Sequence, residues 1–131
     1  MAKKLVKTNS SKKQQQVETG KLHVSATFNN TLVTLTDEAG STLAWSSSGR
    51  SGFKGTRKST PYAATMAVET VLKKAKDEMG MKSIEVFIKG PGPGRDAALR
   101  AVRGVGLRMD LIADITPMPF NGPRAKKKRR A

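Results

Sequence analysis

The stretch KLHVSATFNNTLVTLTDEAGSTLAWS, residues 21–46, decides the fold. From Lys21 to Phe28 apolar Leu22, Val24, Ala26 and Phe28 alternate with polar His23, Ser25 and Thr27, the period-two pattern of a half-buried strand. Asn29-Asn30 tolerates the left-handed angles of a tight two-residue hairpin, and Thr31 to Thr36 resumes a β-branched pattern, so a second strand is expected antiparallel to the first. Asp37-Glu38-Ala39-Gly40 is a second turn, and Thr42 to Ser46 is a short third strand that carries Trp45.

Downstream, Ser47 to Ser59 loses all periodicity and is rich in glycine, serine and basic residues, which reads as an exposed loop. Thr60-Pro61 then has the form of an N-cap followed by proline at the first helical position, where a missing amide costs nothing. Ala64, Val68, Val71, Leu72, Ala75 and Met79 recur at helical spacing, Glu69 and Lys73 are placed to pair on the wet face, and Gly80 is the expected stop. Ser83 to Lys89 alternates again, with Ile84, Val86 and Ile88 on the inner side. Lys89-Gly90-Pro91-Gly92-Pro93-Gly94-Arg95 is incompatible with helix or central strand and must be a shaped loop. Asp96 to Arg103 reads as a short helix ended near Gly104, and Arg108 to Ile115 as the last strand. The order β-β-β-α-β-α-β implies an α/β fold with a mixed sheet, antiparallel at first and then extended by right-handed crossovers.

Charge is distributed unevenly around this core. The formal net charge is +15, yet residues 17–120 hold fourteen basic and ten acidic residues. The excess lies in a segment of five lysines before residue 17 and in six basic residues after residue 120, neither of which contains an acid. We therefore expect a basic, disordered N-terminal arm over 1–16, a single α/β RNA-binding domain over 17–120 and a basic C-terminal tail over 121–131. Such a surplus is self-repelling unless a polyanion neutralises it, and nucleic acid is the leading partner. A solubility tail or an import signal at Lys126-Lys127-Lys128-Arg129-Arg130 is the bland alternative.

Catalysis finds little support in the residues. Cysteine is absent and His23 is the one histidine, which excludes disulfides, thiolate sites and histidine-based triads. Asp37 and Glu38 fall in a turn, Glu69 lies on the wet helix face, and Asp110 and Asp114 lack a carboxylate on the first strand to complete a two-metal cage. His23 reads as a polar sheet-face residue or a minor RNA contact. No cofactor or metal is expected, no apolar run reaches the ~20 residues of a membrane span, and no targeting signal is seen at the N-terminus.

Two loops carry the remaining chemistry. Arg50-Ser51-Gly52-Phe53-Lys54-Gly55-Thr56-Arg57-Lys58 sets four cations and one aromatic among glycines, suited to phosphate contact, with Phe53 either stacking on a base or plugging the core. Gly90 to Arg95 opens onto a helix and is either an anion site or a rigid corner; it lacks the Lys-Ser or Lys-Thr pair of a phosphate-binding P-loop.

Several motifs in order resemble the family of the eleventh protein of the bacterial small ribosomal subunit. They are Phe28-Asn29-Asn30-Thr31, Ser51-Gly52-Phe53-Lys54-Gly55, Arg57-Lys58-Ser59-Thr60-Pro61, Lys89 to Arg95 and Asp114-Ile115-Thr116-Pro117, with the closing Asn121-Gly122 and the basic tail. Residues before 17 fit no pattern, and Phe120 stands where relatives often carry histidine. The resemblance implies a ribonuclease-H-like fold without catalytic carboxylates and a seat in the cytoplasmic small subunit. It also implies a place on the platform that bridges helices of the ribosomal RNA beside ribosomal proteins seven and eighteen, near the cleft that receives messenger RNA. A free RNA chaperone and a nuclease are the rivals, and neither a membrane nor a second copy is expected as partner. Candidate RNA contacts are the arm cations Lys3, Lys4, Lys7, Lys12 and Lys13, and Arg124, Lys126, Lys127, Lys128, Arg129 and Arg130 in the tail. Loop residues Arg50, Phe53, Lys54, Arg57 and Lys58 join them, as do Asn29, Asn30, Lys89, Arg95 and Asn121 within the matching motifs.

Overall fold

A computed structural model describes residues 17–130, so the five N-terminal lysines lie outside the described residues. Strands β1 (Thr19–Ala26), β2 (Thr31–Thr36) and β3 (Thr42–Ser47) are followed by helix α1 (Pro61–Met79), strand β4 (Ser83–Lys89), helix α2 (Gly94–Val105) and strand β5 (Arg108–Asp114). They form one five-stranded sheet in the order β3-β2-β1-β4-β5. β1 is antiparallel to β2 and parallel to β4, and β5 is parallel to β4, so the mixed α/β architecture expected from the pattern is present.

Alternation fixes which face is covered. Leu22, Val24, Val33, Leu35, Ile84, Val86 and Ile88 are buried in one cluster with Val68, Val71 and Leu72 of α1 and Ala98, Ala101 and Val102 of α2. Both helices therefore pack on the same side. Burying each such valine, leucine or isoleucine side chain contributes roughly 1.5 to 3 kcal/mol relative to exposure. Lys21, His23, Trp45, Glu85 and Phe87 occupy alternate positions, on the face the helices leave open. No helix among the described residues is long and apolar enough to cross a membrane.

Helix ends follow local chemistry. Thr60 caps α1, its hydroxyl accepting from the Ala63 amide at 3.3 Å with Pro61 behind it, and Gly80 closes the helix at φ 63°. α2 passes through Gly104 and ends at Gly106, φ 85°, rather than at Gly104. The two added residues let Val105 pack against the core and deliver buried Leu107, which outweighs the ~1 kcal/mol that a glycine costs inside a helix. Glu69 and Lys73 do not pair; among the described residues the ion pairs are Arg95–Asp114 and Arg108–Asp110.

The first hairpin departs from the expected two-residue turn. β1 stops at Ala26, and Thr27 to Asn30 form a four-residue loop in which neither asparagine is left-handed. The Thr27 amide donates to the Asn30 carbonyl at 2.9 Å, and the Thr27 hydroxyl accepts from the Asn30 amide at 3.1 Å. A threonine side chain offering the backbone a local partner ends the strand two residues early. Phe28, expected in the core, consequently projects outward and is 72% exposed.

Candidate nucleic-acid interface

Ser47 to Ser59 is folded more tightly than its composition suggests. The Ser51 amide and hydroxyl both donate to the Ser47 carbonyl at 3.1 Å, the Arg50 amide donates to the Ser47 hydroxyl at 3.1 Å, and the Phe53 amide donates to the Ser48 carbonyl at 3.3 Å. Gly55–Ser59 is then a short 3-10 helix rather than open loop. The Arg57 carbonyl ties it to α1 by accepting from both the amide and the hydroxyl of Thr60. Arg50, Lys54 and Arg57 are exposed, while Lys58 is half-buried with its stem against Gly49. No acid occurs between Glu38 and Glu69, so these four cations stand together without a neutralising partner in the sequence around them.

Phe53 is half-buried and lies outside the core cluster, its ring edge-on to Tyr62 at 5.7 Å between centroids. Tyr62 itself is 64% exposed. Phe53 is therefore not a core plug but half of an aromatic pair at the start of α1.

The glycine-proline loop is a corner built against the first hairpin. At Gly90, φ 98°, and at Gly92, a side chain would collide with the carbonyls of Ala26 and Thr27 respectively. The Gly92 amide donates to the Ala26 carbonyl at 2.9 Å and the Gly90 amide to the Thr116 hydroxyl at 3.1 Å. Arg95 donates to the Gly90 carbonyl at 2.8 Å and to Asp114 at 2.5 Å. The Gly90 and Gly92 amides and the Arg95 side chain are engaged within the fold, which makes the loop a rigid corner, while the first turn of α2 has no side-chain cap. Asp114 also accepts from the hydroxyl and amide of Thr116. Arg95 first, and then Thr116, hold its carboxyl well below the usual carboxylate range. This network clamps the chain where the tail leaves β5.

Residues 117–130 carry no helix or strand and are exposed, with Asn121 in the left-handed region at φ 65°. Arg124 and the run from Lys126 to Arg130 are thus accessible. Lys89 and Asn29 are also exposed, whereas the side-chain oxygen of Asn30 is engaged by the Thr31 amide at 2.8 Å.

On the open sheet face His23 stacks on Phe87, centroids 5.3 Å apart, with its Nε2 3.4 Å from the Thr36 hydroxyl. Burial, and after it the Lys21 ammonium, pushes the His23 imidazole below its ordinary value. At the edge of the same face the Arg50 guanidinium lies 4.3 Å from the centre of the Trp45 ring. Among the described residues no three acidic or histidine side chains are grouped to hold a metal.

A family model described as ribosomal protein S11 matches residues 20–130. The chain belongs to the ribosomal protein S11 family. Small ribosomal subunit protein uS11 of Thermotoga maritima is 54% identical over 123 residues, spanning 92% of this chain and 94% of the relative. The family is one of ribosomal proteins and the chain is not an enzyme, in accord with its scattered acids. Sequence reasoning attached no role to Trp45 or Tyr62. The available signals were the chain's single tryptophan at an outward strand position and a tyrosine directly after the Thr60-Pro61 cap.

Proposed function

We propose that this chain is a non-catalytic scaffold of the small ribosomal subunit that binds ribosomal RNA on the platform and bridges its helices. Its neighbours there are ribosomal proteins seven and eighteen, and it helps form the cleft that receives messenger RNA. The globule over 17–120 fixes positions, while the arm over 1–16 and the tail over 121–131 follow the RNA and neutralise phosphates. The observation that carries this reading is the hydrogen-bonded turn and 3-10 helix presenting Arg50, Lys54, Arg57 and Lys58 with no acid beside them in sequence. Arginine grips two phosphate oxygens at once, and a preorganised turn loses little entropy on contact. Asn29, Lys89 and Asn121 are exposed and extend the candidate contact surface, whereas Arg95 acts mainly within the fold.

Gradient sedimentation of a tagged copy from lysate tests the reading. The protein should cosediment with the small subunit and remain bound at moderate salt. A protein found with mixed RNAs away from the subunit would instead be a free chaperone.

A further inference from the structure

The edge strand β3 ends in an arrangement that the fold does not need for stability. Trp45 is 58% exposed on the open sheet face, with the Arg50 guanidinium carbon lying over its ring, 4.3 Å from the centroid. An exposed cation–π contact adds little stability, so the pair is open to a further role. The turn holds Arg50 there by a bond from its own amide to the Ser47 hydroxyl, while the Gly52 amide donates to Gly49 and the Ser48 amide to Thr31. Leu32, also exposed, pairs with Ser47 in the register and continues the apolar floor beside the indole.

We propose that Trp45 and Arg50 form a stacking ledge for one unpaired RNA base, the guanidinium being the layer between indole and base. A guanidinium is flat, permanently charged and weakly hydrated, so it stacks on an indole and a nucleobase together, which an ammonium does not. The occupant is RNA rather than an apolar protein segment because the Lys58 stem lies against Gly49, next to Arg50, and Lys54 and Arg57 belong to the same stretch without acids, so phosphates on either side of the base meet positive charge. The base is unpaired because bases within a duplex are already stacked. This inference rests on the RNA-binding reading above.

The test compares wild type, Trp45→Leu, Arg50→Lys and the double variant. Each is titrated with small-subunit ribosomal RNA and with a fully double-stranded RNA across a salt series, and melting is followed by circular dichroism. Each single change should weaken ribosomal RNA binding about tenfold, the order expected for one lost base stack. The salt slope should stay unchanged because neither substitution alters charge. The double variant should be little weaker than the worse single one, since both residues act through one stack, and duplex binding should not move. Wild-type affinity for ribosomal RNA in Arg50→Lys overturns the ledge and leaves the scaffold reading standing; so does an equal loss on duplex RNA, which would mean phosphate contact alone. If wild type itself fails to bind ribosomal RNA, both inferences fall. Arg50→Lys carries the test even if Trp45→Leu folds poorly, because Arg50 is an exposed turn residue.

Discussion

Replacing Lys54, Arg57 and Lys58 together by alanine removes three of the four cations on the folded turn while leaving the Arg50–Trp45 pair in place. None of the three makes an ion pair among the described residues, so the fold loses no partner. Stability should move by no more than about 0.5 kcal/mol per substitution, the largest share coming from Lys58, whose stem packs at Gly49. Binding should respond differently. Each phosphate contact contributes about 0.7 to 0.9 to the slope of log affinity against log salt, so three contacts account for roughly 2 to 2.7. Between about 50 and about 200 mM salt, wild type should therefore lose roughly 20- to 40-fold more affinity than the variant. Filter binding to small-subunit ribosomal RNA at four or five salt concentrations measures both slopes. A variant whose slope equals that of wild type would refute the assignment and leave the electrostatic contacts to the arms and to cations other than these three.

Three further outcomes follow from the packing. Gly92→Ala should cost about 1 to 3 kcal/mol in urea unfolding, because the new methyl meets the backbone of Ala26 and Thr27, which has no flexible end to yield; an unchanged midpoint would contradict the close approach. In an NMR titration His23 should titrate below its ordinary value of about 6.5 and move partly back upward in Lys21→Met, burial being the larger cause. Because this folded-state value is depressed, its contribution to stability is present above about pH 6.5 and is lost as pH falls through the folded value; a His23 titrating above 6.5 would contradict the packing. Asp114 is likewise depressed, so its contribution is present above the unfolded carboxylate value of about 4 and is lost on further acidification. Asp114→Asn should thus lessen the acid sensitivity of the native state, by a modest amount given how exposed the carboxylate is, and an identical acid profile would argue against the clamp.

Local order was legible in the chain itself. The alternation in Lys21 to Ala26 and Ser83 to Lys89, the Thr60-Pro61 cap and the stop at Gly80 all involve residues within a few positions of each other, where backbone sterics and capping chemistry decide the outcome. The same holds for the charge split and the candidate RNA loop, which are properties of composition. The folded chain decided what depends on particular hydrogen bonds and contacts, which a periodic pattern does not report. Periodicity placed Phe28 inside, but the hydrogen bonds of Thr27 to Asn30 turned it out. A glycine suggested the end of α2 at Gly104, but the core contact of Val105 carried the helix two residues further. Arg95 looked like a free cation until the fold brought it to Asp114, nineteen residues away. Arg50 looked like one charge among four until the turn set it over Trp45. A sequence pattern reports which face of an element is apolar, since that follows from 3.6- and 2-residue periods; which side chains meet across elements depends on register and loop closure, and those are settled only when the whole chain packs.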